Sequence, residues 1–226
     1  MLIESESFEI PKDLDSDREK VEKEIIEKLK LYHQTSKEKW QQIQKVGSIL
    51  SEKELLKRGL INEEQLNDFE TTSTGDMDRA EGRDNYVFAS HNPLGYGNVT
   101  LEIDLDALNM PEAKVSTAGE YLMHLDDEED KNYYNKSLIP ASEFIPYLVD
   151  FLPTLQNKEW FWKRKGENPE VVQFLGEALL DKNIKGDKTK FREFWKLYPE
   201  IMFSKELPLN YIKKVIIDGV EQKIEN

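Results

Sequence analysis

Apolar positions change period several times along the chain, and each period predicts a different element. Over residues 14–30 (LDSDREKVEKEIIEKLK), Val21, Ile25, Ile26 and Leu29 recur at i, i+4, i+5 and i+8. That is one face of a helix, with Asp15 or Ser16 as its cap. Residues 31–35 (LYHQT) read as a short strand. Ser36 then caps a second helix, KEKWQQIQKV, with Trp40, Ile43 and Val46 inward and Gly47 as its stop. Residues 48–60 predict a turn and a short helix. Residues 68–85 are polar and contain glycine, which predicts a long loop of the kind that often carries function. Residues 86–90 (YVFAS) read as a strand, a turn-rich HNPLGYGN follows, and residues 99–105 alternate apolar and polar over a full strand length.

The second half has a different character. The acidic run at 126–130 reads as a solvated loop. Residues 141–164, 169–182 and 187–197 read as helices, with Pro169 at a first helical position. Two strands close the chain, at 201–203 and at 212–217, with LPLN between them. Strands therefore cluster near 31–35, 86–105 and 200–217, separated by helical stretches. That predicts an α+β domain rather than strict β-α-β alternation. The expected organisation is one domain over residues 1–226, with a mostly helical insertion at about 106–197.

Composition narrows the chemistry. A length of 226 residues is ample for one real core. Four Trp, nine Tyr and ten Phe argue against disorder. Cysteine is absent, which removes disulfides, zinc knuckles, iron–sulfur clusters and thiol catalysis. With 31 Lys and Arg against 45 Asp and Glu, the net charge of −14 repels phosphate backbones. No run reaches the roughly 18 apolar residues of a membrane helix, so no membrane partner is expected. The first twenty residues have neither the basic nor the apolar region of a secretory signal. A cytoplasmic address is expected, with delivery by a signal-independent route as the other option.

The three histidines, His33, His91 and His124, lie far apart, and the acidic run lacks the spacing and glycine of a calcium loop, so no metal is expected. Neither GxGxxG nor GxxxxGK[ST] occurs, so a nucleotide would have to be held by other means. Taken singly, three candidate residues have plain structural readings. His33 is a satisfied edge histidine, Tyr96 between Gly95 and Gly97 is a turn aromatic, and Glu200 is a solvent-facing carboxylate opening a strand.

Their joint order points elsewhere. A His on an early strand (LYHQTS), a Tyr just after a YVFAS strand, and a Glu opening a late strand (YPEIMF, then LNYI) resemble the ADP-ribosyltransferase superfamily of the His-Tyr-Glu type. That superfamily includes poly(ADP-ribose) polymerases and diphtheria-like toxins. The resemblance covers about 45 residues in three blocks. It implies small, mostly antiparallel split sheets with NAD in the cleft between them, and no Rossmann glycines. Three positions depart from the family pattern. Gln34 replaces a glycine, Val87 stands where a second stacking tyrosine is common, and Pro93 stands where a serine often bonds the carboxamide.

The implied activity is transfer of ADP-ribose from NAD, as substrate, to a macromolecule, with release of nicotinamide. The resemblance implies that Glu200 holds the nicotinamide ribose and stabilises a cationic transition state, as in glycoside hydrolysis. It implies that Tyr96 stacks on nicotinamide and that His33 bonds the adenosine ribose. Gln34, through its backbone at the nicotinamide amide, Thr35, steadying the strand or His33, and Ser90 would complete the NAD-binding set. Arg79 and Arg83, in the long loop, would reach the pyrophosphate or remain exposed loop charges. Two other readings stay open: an NAD-consuming RNA 2′-phosphotransferase, and a non-catalytic nucleotide-binding module. The net charge favours a protein target over nucleic acid. A free-standing toxin or effector of bacterial or phage type would also have an antitoxin or immunity partner. Trp160-Phe161-Trp162 beside Lys163-Arg164-Lys165 is the candidate recognition segment, or else a core helix with a basic end.

Overall fold

A computed structural model of the chain describes residues 18–62, 82–91, 97–118, 128–155 and 199–222. The first apolar stripe forms helix α1 (Arg18–Lys28). Val21, Ile25 and Leu29 are buried, while Ile26 is 45% exposed and does not belong to the inward face. A face of i, i+4 and i+8 is enough to seat this helix. The next residue round, Ile26, falls beyond its edge. The strand β1 (Leu31–Thr35) follows, then helix α2 (Lys37–Val46). Its ends are as the sequence predicts. Ser36 accepts a bond from the Lys39 amide, and Gly47 closes the helix at φ 80 with its amide on the Ile43 carbonyl.

Residues 48–50 correct the expected turn. They form a strand, β2 (Ser48–Leu50), before the short helix α3 (Glu52–Lys57). Only the distant pairing of β2 with residues 206–208 makes this segment a strand. Strands β3 (Tyr86–Ser90) and β4 (Val99–Ile103) follow as predicted. The stretch 106–118 is not helical in the sense expected. After a 3-10 turn at Leu105–Asn109, it forms β5 (Lys114–Ser116). Helix α4 (Glu128–Ser137) then leads into β6 (Leu138–Pro140). The insertion expected to be mostly helical thus lends two strands to the main sheet.

The acidic run is also not a loop over its described part. Glu128, Glu129 and Asp130 open α4, where carboxylates suit the positive end of the helix dipole, and Asp130 is only 1% exposed. The helix expected at 141–164 is a 3-10 turn at Ala141–Glu143 and helix α5 (Phe144–Leu155). The helices expected at 169–182 and 187–197, and the segment 160–165, lie outside the described residues. The chain ends in β7 (Glu200–Ser204), β8 (Glu206–Pro208), β9 (Ile212–Ile217) and β10 (Val220–Gln222).

The fold is α+β. An antiparallel sheet runs β10-β9-β4-β1-β3-β7-β5-β6, and β2 pairs with β8 in a second, two-stranded sheet. The large sheet is uneven. β1 meets β4 over five residue pairs, and β3 meets β7 over five. Between β1 and β3 the ladder holds at one pair, Tyr32 opposite Ser90. Two four-stranded halves therefore share a single ladder pair.

Cross-strand partners share a face. Leu31, Val99, Leu101, Val87, Ala89, Ile201, Phe203 and Val115 line the buried face, together with α1, Phe144 and Leu148. α1 packs along α5 there, with an exposed Arg18–Asp150 ion pair at 2.6 Å between them. The other face carries Tyr32, Ser90, Glu200 and Ser116 across four strands, whereas His33, opposite Leu101, projects from the same face as Leu31.

Candidate active site

Register places the polar row. Tyr32 lies opposite Ser90, Ser90 opposite Glu200, and Glu200 opposite Ser116. These four residues stand on one face of neighbouring strands β1, β3, β7 and β5. At about 4.8 Å per strand step, Tyr32 and Glu200 are only about two steps apart, although the chain between them is long. Pro199 is buried just before the strand and fixes where Glu200 enters the sheet.

Glu200 is not the solvent-facing carboxylate its position suggests. Its side chain is 15% exposed and its Oε2 accepts from Arg83 Nη2 at 2.6 Å. Arg83 sits in the 3-10 turn Arg83–Asn85 that leads into β3, and it is buried. Its Nη1 donates to the Tyr134 hydroxyl at 2.8 Å, and its guanidinium lies over the Phe88 ring, 4.7 Å from the centroid. This corrects the reading of Arg83 as an exposed loop charge: it is buried, and each terminal nitrogen donates a hydrogen bond within the protein.

The Tyr134 hydroxyl also hydrogen-bonds Ser116. Burial, and then the nearby Glu200 charge, raise its pKa, and Arg83 partly offsets them. The phenol stays protonated at neutral pH, and its oxygen accepts from Arg83. The network closes on itself, because Ser116 is the cross-strand neighbour of Glu200.

His33 belongs to the junction of the two half-sheets. By the pleat it shares a side with Leu31 and Thr35 rather than with Tyr32, but its ring reaches across to β3. Nδ1 lies 2.8 Å from the Phe88 carbonyl oxygen. A carbonyl only accepts, so Nδ1 carries the proton and Nε2 of the neutral ring is an acceptor. Burial lowers the pKa of His33, Lys39 pushes the same way, and the Phe88 carbonyl opposes them. The ring is therefore neutral at pH 7, with an acceptor suited to a hydroxyl donor. Phe88 serves both parts of the site, its carbonyl on His33 and its ring under Arg83.

Of the remaining expected residues, Gln34 donates from Nε2 to Thr100 Oγ1 at 3.2 Å on β4. Thr35 is buried at the end of β1, and Ser90 stands between Tyr32 and Glu200. Tyr96 and Arg79 lie outside the described residues. Gly97, beside Tyr96, has φ +99, and a Cβ there would stand 2.3 Å from the Thr35 carbonyl oxygen. The glycine thus admits the backbone of β1.

The sequence did not single out Tyr134, Ser116 or Phe88. Tyr134 sits in a polar helical run and Ser116 at the end of a three-residue strand, and neither position carries a local signal. Among the described residues, no group of three or more His, Asp or Glu is placed to hold a metal. No described helix is long and apolar enough to cross a membrane. Comparison with protein-family models, with curated proteins and with solved structures finds no match to this chain.

Proposed function

We propose that this chain is an NAD-dependent mono-ADP-ribosyltransferase of toxin or effector type, acting on a macromolecular and preferably protein target. The observation that carries the reading is the placement of the three sequence blocks. Residues around 33, 86–90 and 200 occupy three neighbouring strands, β1, β3 and β7, at the point where the large sheet divides.

In the reaction, the bond between nicotinamide and the ribose anomeric carbon breaks, and its electron pair leaves with nicotinamide. An acceptor on the target forms the new bond and loses its proton. Positive charge develops on the ribose, so the site needs a fixed negative charge and orientation more than acid chemistry. Glu200 supplies the carboxylate. His33 supplies a neutral acceptor for an adenosine-ribose hydroxyl, and Tyr96 the ring for nicotinamide. Arg83 favours this reading over an RNA 2′-phosphotransferase. A phosphate grip needs its guanidinium free, whereas here it is held on Glu200 and Tyr134.

The test incubates labelled NAD with the protein and a cell lysate. Label on protein is expected, and Glu200→Gln should abolish it in the folded protein, with a lower melting temperature because Arg83 loses its buried counter-ion. Transfer at the wild-type rate by Glu200→Gln sinks the assignment. Free ADP-ribose alone would make the chain a hydrolase, and binding without turnover a nucleotide-binding module.

A further inference from the structure

We infer that Arg83 and Tyr134 are positioning residues that hold the Glu200 carboxylate in one orientation across the dividing sheet. The inference deepens the transferase reading, and its kinetic arm rests on that reading. A glutamate that opens a strand ordinarily swings through several rotamers in water. Here three elements remove that freedom. The guanidinium of Arg83 donates to Glu200 on β7 and to Tyr134 on α4, and its carbon lies over the Phe88 ring of β3, 4.7 Å from the centroid. Two terminal nitrogens and the guanidinium carbon are thereby engaged, and a planar fork held at three points does not rotate. Tyr134 is fixed in turn by Ser116, next to Glu200 on β5.

The arrangement has a cost that makes the inference testable in sign. A cation 2.6 Å from Glu200 weakens the field the carboxylate casts on a developing ribose cation. If field strength were the controlling quantity, removing Arg83 would speed turnover. If orientation controls, removing Arg83 slows it, because displacement of a catalytic group by about 1 Å costs on the order of 100-fold. The built network, with its buried phenol and the Phe88 ring, favours orientation. Among the described residues, Arg83 from the 83–85 turn and Tyr134 from α4 are charged or titratable groups that face Glu200.

The experiment measures nicotinamide release from NAD by the full chain, with kcat and KM separated, across a pH series. For Tyr134→Phe, which keeps the ring and loses one hydrogen bond, kcat is expected to fall about tenfold with KM nearly unchanged. For Arg83→Gln, kcat should fall about 100-fold, and the acid limb of the profile should move to higher pH. A merely structural role would lower the melting temperature and leave kcat per folded molecule intact. That result, or a rise in kcat, overturns the inference.

A second arm does not need turnover. Carboxyl-13C glutamate labelling follows the titration of Glu200, assigned by loss of its signal in Glu200→Gln. Arg83→Gln should raise that midpoint by at least about one pH unit. An unmoved midpoint overturns the inference even if the wild-type protein proves to release no nicotinamide, a result that by itself would remove only the transferase reading.

Discussion

At the scale of single residues, burial decides protonation and protonation decides what a side chain can do. His33 is kept neutral by its surroundings and kept in one tautomer by the Phe88 carbonyl, so its free nitrogen can only accept. His91, one residue beyond β3, shows the same physics more strongly. Burial pushes its pKa down to about 4. The unfolded chain takes up that proton near 6.5, and the folded chain resists until near 4. The unfolded state then binds more protons within this window, so stability is complete above about 6.5 and is lost as pH falls towards 4. Each unit of the gap is worth about 1.4 kcal/mol. Urea melts between pH 7 and 4 should show that loss, and His91→Gln should flatten it. An equal pH dependence in the variant would show that His91 does not cause it.

At the scale of elements, the helix and strand periods were readable where one face is buried and the other wet. The β1–α2 unit is the clear case, with its cap, its buried Trp40 and Ile43, and its glycine stop. Strand β2 and strands β5 and β6 were not readable, because three residues carry too little pattern and each becomes a strand only by pairing with a distant partner. In the turn before β4, Gly97 lets the backbone of β1 approach closely. Gly97→Ala would force a Cβ against the Thr35 carbonyl and strain a backbone at φ +99. The expected cost is about 1–3 kcal/mol of stability, seen as a lower denaturation midpoint. Lower NAD affinity is expected with it, because the end of β1 must move. A variant with wild-type stability would mean that this close approach does not occur.

At the scale of the whole molecule, the notable feature is how weakly the two half-sheets are joined. One ladder pair, the His33–Phe88 bond and the shared buried face hold them together. A dinucleotide lying across that junction would tie the halves and stabilise the fold by mass action. At 100 times its dissociation constant the gain is about 2.7 kcal/mol, or roughly 5–10 °C for a domain of this size. Scanning calorimetry with and without millimolar NAD measures it, and an unmoved transition would count against a site at this junction. The net charge of −14 acts at this scale too. It disfavours duplex nucleic acid as the acceptor through bulk repulsion, without naming a target.

By itself the sequence determined the fold class and most of the described strands and helices, because each depends on periods and residue types that are local. It also named Glu200 and His33 while leaving each with a plain alternative. Only the tertiary structure decided that β1, β3 and β7 are neighbours, that the sheet divides beside His33, and that Arg83 turns inward to Glu200. The reason is that a cross-strand register and a buried ion pair join residues more than fifty or a hundred positions apart, and no local pattern records which distant partner satisfies a charge.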